Sequence, residues 1–124
     1  MSEDDAVIKR IYDDPSDDDG QRVLVDRLWP RGMSKQRAAI DEWCKTVAPS
    51  TDLRKWYAHD PVRFDEFRAR YADELADGDQ ASAFAHLRDL HQHGRLTLLT
   101  ASKALDISEA RVLADLLNEG TLAN

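Results

Sequence analysis

The stretch VLVDRLWPRG, residues 23–32, decides how this chain folds. Val23–Leu24–Val25 is a short, continuous apolar run, which marks a strand buried on both faces, as in a parallel sheet. Asp26 and Arg27 follow at once, and Pro30 and Gly32 then end extended structure. A second run of the same kind, Leu96–Thr–Leu–Leu–Thr100, lies near the other end of the chain. A third, Val7–Ile–Lys–Arg–Ile–Tyr12, opens it with β-branched residues around a charged middle. Between the first two strands, DDPSDDDG at residues 13–20 is a turn-forming loop.

The segments between strands carry helical periodicity. Residues 34–47 read as a helix with Ser34 as N-cap and Ile40, Trp43 and Val47 on one face. Pro49 breaks it, and Ser50 or Thr51 caps a short helix through Trp56. Asp60 and Pro61 are a strong helix start, and Phe64, Phe67, Tyr71 and Leu75 then recur at helical spacing as a core stripe. A further helix is expected from about Gln80 to His93, ended by Gly94. The last runs from about Ser108 to Glu119 and ends at Gly120. Buried strands separated by helices predict a single α/β domain, a three-layer Rossmann-like sandwich with a mostly parallel sheet and a helix-rich middle. The domain takes in residues 1–124, with 1–6 a flexible acidic tail.

Composition bounds the function classes. A chain of 124 residues builds one core and leaves little room for a second. With 42% hydrophobic and 33% charged residues it has the balance of a folded soluble protein. No apolar run approaches the roughly 20 residues of a membrane span, and the acidic start MSEDDAV lacks a signal-peptide pattern. Cytoplasmic location is therefore expected. Cys44, the only cysteine, can form no internal disulfide and reads as a small buried hydrophobe. The net charge of −7 argues against binding to membranes or nonspecific binding to DNA. Yet residues 21–59 hold eight bases against four acids, a local excess that suits a small anionic ligand.

In parallel α/β sheets, ligands bind beyond the carboxyl ends of the strands. That rule points to Asp26–Gly32 and to Thr100–Ala104. Asp26 can serve as acid, base or orienting group. Arg27 and Arg31 present planar forks that match phosphate or carboxylate. Trp29 offers a flat face for a base, Pro30 fixes φ, and Gly32 permits close backbone approach. Asp26, Arg27 and Arg31 are expected in one cleft. The competing reading is an ion pair of Asp26 with an arginine that merely holds the loop, with Trp29 as core. His59 either exchanges protons and contacts an anion or serves as part of a helix cap. His86, His91 and His93 lack the i, i+4 spacing of a two-histidine metal motif, so no metal site is assigned. There is no P-loop, dinucleotide-binding glycine pattern or nucleophile elbow, and neither a cofactor nor an oligomeric state is marked.

The segments from IKRIYDDPSDDDG through DRLWPRGMSKQRAAIDEW, and LRKWYAHDP after them, resemble the YeaO-like branch of the domain of unknown function 488 family, over about Val7 to Leu117. The resemblance implies a Rossmann-like fold and a role in nucleotide or nucleic-acid processing. It implies site positions at Asp26, Arg27, Trp29, Pro30, Arg31 and Gly32 from the first motif, and at Trp56, His59 and Asp60 from the second. After the last strand the family pattern has a small-residue pair, a base, an Asp and then a His–Asn pair. Here Lys103 supplies the base, but Ala104 stands at the acid, and Ile107 and Ser108 stand at the His–Asn pair. The missing carboxylate and imidazole put catalysis, rather than fold, in question, with Asp106 a substitute only after a register shift. Three functions follow: an enzyme acting on a nucleotide-like or other anionic substrate, a catalytically inactive binding or regulatory module, and a protein-interaction adaptor anchored by tryptophans.

Overall fold

The computed structural model describes residues 5–122. Four strands, β1 (Val7–Arg10), β2 (Gln21–Leu24), β3 (Glu42–Trp43) and β4 (Leu96–Thr100), form one sheet in the order β1-β4-β2-β3. Every pairing is parallel. The central β4 is buried along its whole length, as its unbroken apolar run requires. Its register places Val23 beside Leu98 and Leu24 beside Leu99.

Alternation along the strands sends side chains to two separate cores. Val23, Val25, Leu96 and Leu98 meet the helices α2 (Thr51–Tyr57), α3 (Phe64–Glu74), α4 (Gly78–Gln92) and α5 (Glu109–Leu122). Leu24 and Leu99 face the other way and pack with Ile11, Met33 and Ala38 under a thin cover. That cover is the loop after β2 and the one-turn helix α1 (Lys35–Ala38). The result is an α/β sandwich with unequal outer layers.

The core stripe is where its spacing put it. Phe67, Tyr71 and Leu75 are buried, and Phe64 packs against them half-buried. Tyr57 stacks on Phe67 with ring centroids 4.1 Å apart. The Tyr71 hydroxyl, wholly buried, donates to the Val47 carbonyl at 2.6 Å, which satisfies the one polar atom the ring brings inside.

Three boundaries differ from the sequence reading. Residues 34–47 are not one helix. Ser34 caps α1 as expected, but Ala39 adopts φ 49 and stops it after one turn. The chain then forms β3, because the Asp41 carboxylate and backbone N–H meet the backbone of Arg22 at 2.9 and 2.8 Å and lead the chain into pairing along β2. The apolar spacing of Ile40, Trp43 and Val47 was shared between a strand and a turn, so tertiary pairing overrode it. Gly120 does not end α5, which continues to Leu122. Of the expected acidic tail, residues 1–4 lie outside the described residues. Ala6 is buried and exchanges two hydrogen bonds with the Asn118 side chain, at 2.8 and 3.1 Å.

Candidate functional site

β2 and β4 are neighbours, but their chains leave in opposite directions. After β2 the chain turns to the thin cover, and after β4 it passes to α5 on the helical face. The divergence opens a crevice at the carboxyl end of the sheet, the usual ligand position in open parallel sheets. A cleft of about 460 Å³ occupies it, within the size range of small-molecule sites.

Asp26 crosslinks the two strand ends. One carboxylate oxygen accepts from the Thr100 hydroxyl at 2.7 Å and the other from the Ala101 N–H at 2.8 Å. Its backbone carbonyl accepts from the Trp43 indole at 2.8 Å. Glu109 enters from α5, whose first turn points toward the same crevice. The preceding Ser108 hydroxyl accepts from the Arg111 N–H at 3.3 Å, a capping contact that starts the helix there. The Glu109 carboxyl lies 3.5 Å from the Thr100 hydroxyl and hydrogen-bonds with Asp26. Burial first, then the hydrogen bond and charge of Asp26, hold its pKa well above the usual carboxyl range, against the opposing influence of Arg54 and Thr100.

The facing wall is basic. Arg27 donates to the Pro49 carbonyl at 3.1 Å, and Arg54 comes from the middle of α2. Both line the cleft, and the Nε of each is buried with no hydrogen-bond partner among the described residues. Lys55 and His59 stand further out and are exposed. His59 follows Ala58 in a pair of residues at φ 48 and 56, a left-handed turn that bends the chain off α2. Tyr57, also in the wall, donates to the Ile107 carbonyl at 2.6 Å and ties α2 to the turn before α5. Burial and the nearby Asp60 raise its phenol pKa.

The expected site residues therefore divide. Asp26, Arg27 and His59 line the cleft. Trp29, Arg31, Gly32, Trp56 and Lys103 do not, so the convergence of Arg31 with Asp26 and Arg27 is corrected. Pro30 and Gly32, with φ 74, carry the chain to the opposite face. There Trp29 donates to the Met33 carbonyl at 2.6 Å and meets Trp43 edge-on. Arg31 is exposed, and its carbonyl accepts from the Tyr12 hydroxyl at 2.9 Å. Trp56 is half-buried on the outer side of α2, with the guanidinium groups of Arg63 and Arg70 over its ring at 5.3 and 4.3 Å. Asp60 caps the next turn through the Val62 N–H. Lys103 and Ala104 are exposed beyond β4.

Arg54 and Glu109 were missed, and Thr100, inside the segment that the strand-end rule marked, was given no role. Thr100 ends a strand already marked as buried, and Glu109 follows a serine that reads as a cap, so both carried a positional signal. Arg54 carried none, since its place depends on how α2 lies across the sheet. Glu109 also changes the view of the altered third segment. Asp106 points to solvent beside Arg111, yet a carboxyl reaches the cleft from Glu109, further along the chain. The other candidates have separate partners. His86 pairs with Glu42 at 2.8 Å and His93 lies 3.6 Å from Asp89. Cys44 is buried, and burial with the neighbouring Glu42 raises its thiol to about 11. Among the described residues no helix is long and apolar enough to cross a membrane.

Comparison with known proteins places the chain in a family. The model of the family described as "Inactive DUF488-N3 subclade" matches residues 5–124. Uncharacterised proteins of Mycobacterium tuberculosis and Mycobacterium bovis are each 50% identical over 111 residues, covering 90% of this chain and 92% of theirs. The uncharacterised protein YeaO of Escherichia coli is 45% identical over 109 residues, covering 88% of this chain and 93% of its own. No solved structure matches. The chain belongs to the DUF488 family, in the subclade described as inactive.

Proposed function

We propose that this protein is a binding module that holds a small anionic ligand, phosphate- or carboxylate-bearing, in the cleft between Arg27 and Arg54, without turning it over. One observation carries the reading: two guanidinium groups line a cleft of ligand size, each with a buried Nε that has no partner among the described residues. A buried donor left unpaired costs free energy, which an oxyanion that drew these side chains toward the cleft would return. Lys55 at the mouth adds charge of the same sign.

Binding is favoured over catalysis for two reasons. Both Asp26 oxygens are engaged by Thr100 and Ala101, so this carboxylate orients the strand ends. The family description names an inactive subclade, and the positions of the third motif hold Ala104 and Ile107 in place of acid and imidazole. The reading names an anion and not a base, because Trp29 is spent on packing away from the cleft.

The test is a thermal-shift titration with sulfate, inorganic phosphate, pyrophosphate and nucleoside phosphates, on the protein and on Arg54→Ala. A ligand that binds only the folded state raises Tm by mass action. At least one anion is expected to raise Tm in the parent and to lose that effect in the variant. No shift with any anion, or equal shifts in both proteins, would refute the reading.

A further inference from the structure

We propose that anion binding in this cleft is coupled to a proton: Glu109 holds one proton in a hydrogen bond with Asp26, beside the Thr100 hydroxyl, and the ligand binds at Arg27 and Arg54 only while it is in place. The inference rests on the binding reading above and adds its regulation.

The geometry sets the terms. Two carboxyl groups from different elements meet over one hydroxyl, 2.7 Å from Asp26 and 3.5 Å from Glu109. The Thr100 hydroxyl has a single hydrogen, which goes to the closer Asp26. The hydrogen bond between the two carboxyls therefore needs a proton of its own, and two like charges so placed resist ionising together. Burial and Asp26 raise the Glu109 pKa, which makes it the protonated partner.

Charged and titratable groups face this pair from every element packed against it. Arg54 reaches it from α2 and Tyr71 from α3. Arg10 lies across from Thr100 on β1, and Arg27, Lys55 and His59 complete the cleft. With Glu109 neutral, Arg54 has no carboxylate partner among the described residues and is available to a ligand. Once Glu109 ionises, it becomes the anion for Arg54 and competes from inside the protein. Rising pH therefore closes the site by substitution of partners, without movement of the backbone.

Sulfate keeps its charge near and above neutral pH, so its affinity reports on the protein. Titration calorimetry from about pH 6 to about pH 9 would be run on the parent, Glu109→Gln and His59→Gln. In the parent and in His59→Gln, sulfate affinity is expected to fall roughly tenfold as pH rises, the effect of one added charge at close range. In Glu109→Gln, whose amide cannot ionise, affinity should stay flat at the low-pH level. Equal slopes in parent and Glu109→Gln would overturn the coupling, and so would loss of the slope in His59→Gln. Infrared spectra supply a readout without ligand: the carbonyl stretch of a protonated carboxyl is expected at neutral pH and should vanish in Glu109→Gln. Its absence from the parent would overturn the Glu109 proton whatever sulfate does. Failure of sulfate to bind at any pH in either protein, with the infrared band present, would instead overturn the anion reading and the coupling with it, leaving the paired carboxyls established.

Discussion

The two ends of the parallel sheet each place arginine near a carboxylate, and they use the pair in opposite ways. At the amino end, each guanidinium nitrogen of Arg22 has a protein partner. Its guanidinium donates to Asp19 at 2.5 Å, to the Ala38 carbonyl at 2.8 Å and, through Nε, to the Ala39 carbonyl at 3.0 Å. Asp19 in turn accepts from Lys9 and from the Ser16 N–H. Every strong group there has a protein partner, and together they join β1, β2 and the end of α1. At the carboxyl end, Arg27 and Arg54 have buried Nε atoms without partners among the described residues, around a cleft. A third such Nε, on Arg10, belongs to a guanidinium lying over the Tyr12 ring at 5.1 Å, outside the cleft lining. The contrast teaches a general distinction: a buried charge with all its bonds made within the chain supports the fold, whereas one with bonds left over beside open space is a candidate for a ligand.

The comparison predicts its largest effect at the amino end. Asp19→Ala strands Arg22 and breaks the cap at Ser16, and should destabilise the fold by about 3–5 kcal/mol, the usual cost of leaving one partner of a buried pair behind. Gly20→Ala should be comparably damaging, because a Cβ there would lie 2.3 Å from the Arg95 carbonyl oxygen at a backbone φ of 64. Urea denaturation measures both. Whatever fraction folds should still bind the anion. A loss of under about 1 kcal/mol for Asp19→Ala would show that the amino-end network is not structural.

Next in size are the cleft arginines. Arg54→Ala should weaken anion binding by about 1.5–3 kcal/mol, as for loss of a hydrogen bond to a charged group, with little change in urea stability. A stability loss as large as that of Asp19→Ala would erase the distinction between the two ends.

The two ends should also differ in the sign of their pH dependence. Burial alone would raise the Asp19 pKa, but the Ser16 N–H, Lys9 and Arg22 outweigh it and hold the carboxyl below its ordinary 3.8. Its contribution is present above that value and lost as pH falls through the lower folded pKa. For Glu109 the shift is upward, so the folded state binds more protons than the unfolded one above the ordinary carboxyl pKa. Stability then declines as pH rises toward the raised value. Glu109→Gln should remove the decline on the alkaline side and leave the loss on the acid side unchanged. Parallel unfolding curves at several pH values would check this, and an unchanged alkaline decline in the variant would refute it.

The smallest effect is expected at Arg31, which the first motif had suggested as an anion ligand. It is exposed and outside the cleft, so Arg31→Ala should change stability by no more than about 0.5 kcal/mol and leave anion affinity as it was. A clear loss of affinity would bring the DRLWPRG loop back into the site.

What could be read from the residues alone follows from short-range physics. Unbroken apolar runs announced the strands β2 and β4, the Phe64–Leu75 spacing announced a helix face, and the strand-end rule located Asp26 and Arg27. These depend on burial and on periodicity, which a local sequence carries. The rest depended on partners far away in the chain. Residues 34–47 kept a helical spacing but yielded to pairing with β2, since the backbone groups around Asp41 found Arg22, 19 residues away. Arg31 adjoins Arg27 in the motif, yet a proline and a left-handed glycine send it to the other face. Arg54 and Glu109, distant from Asp26 in sequence, complete the cleft because α2 and α5 lie across the same side of one sheet. Only the tertiary structure decides which charges share a dielectric, and that is why it alone separated the arginine that holds the fold from those open to a ligand.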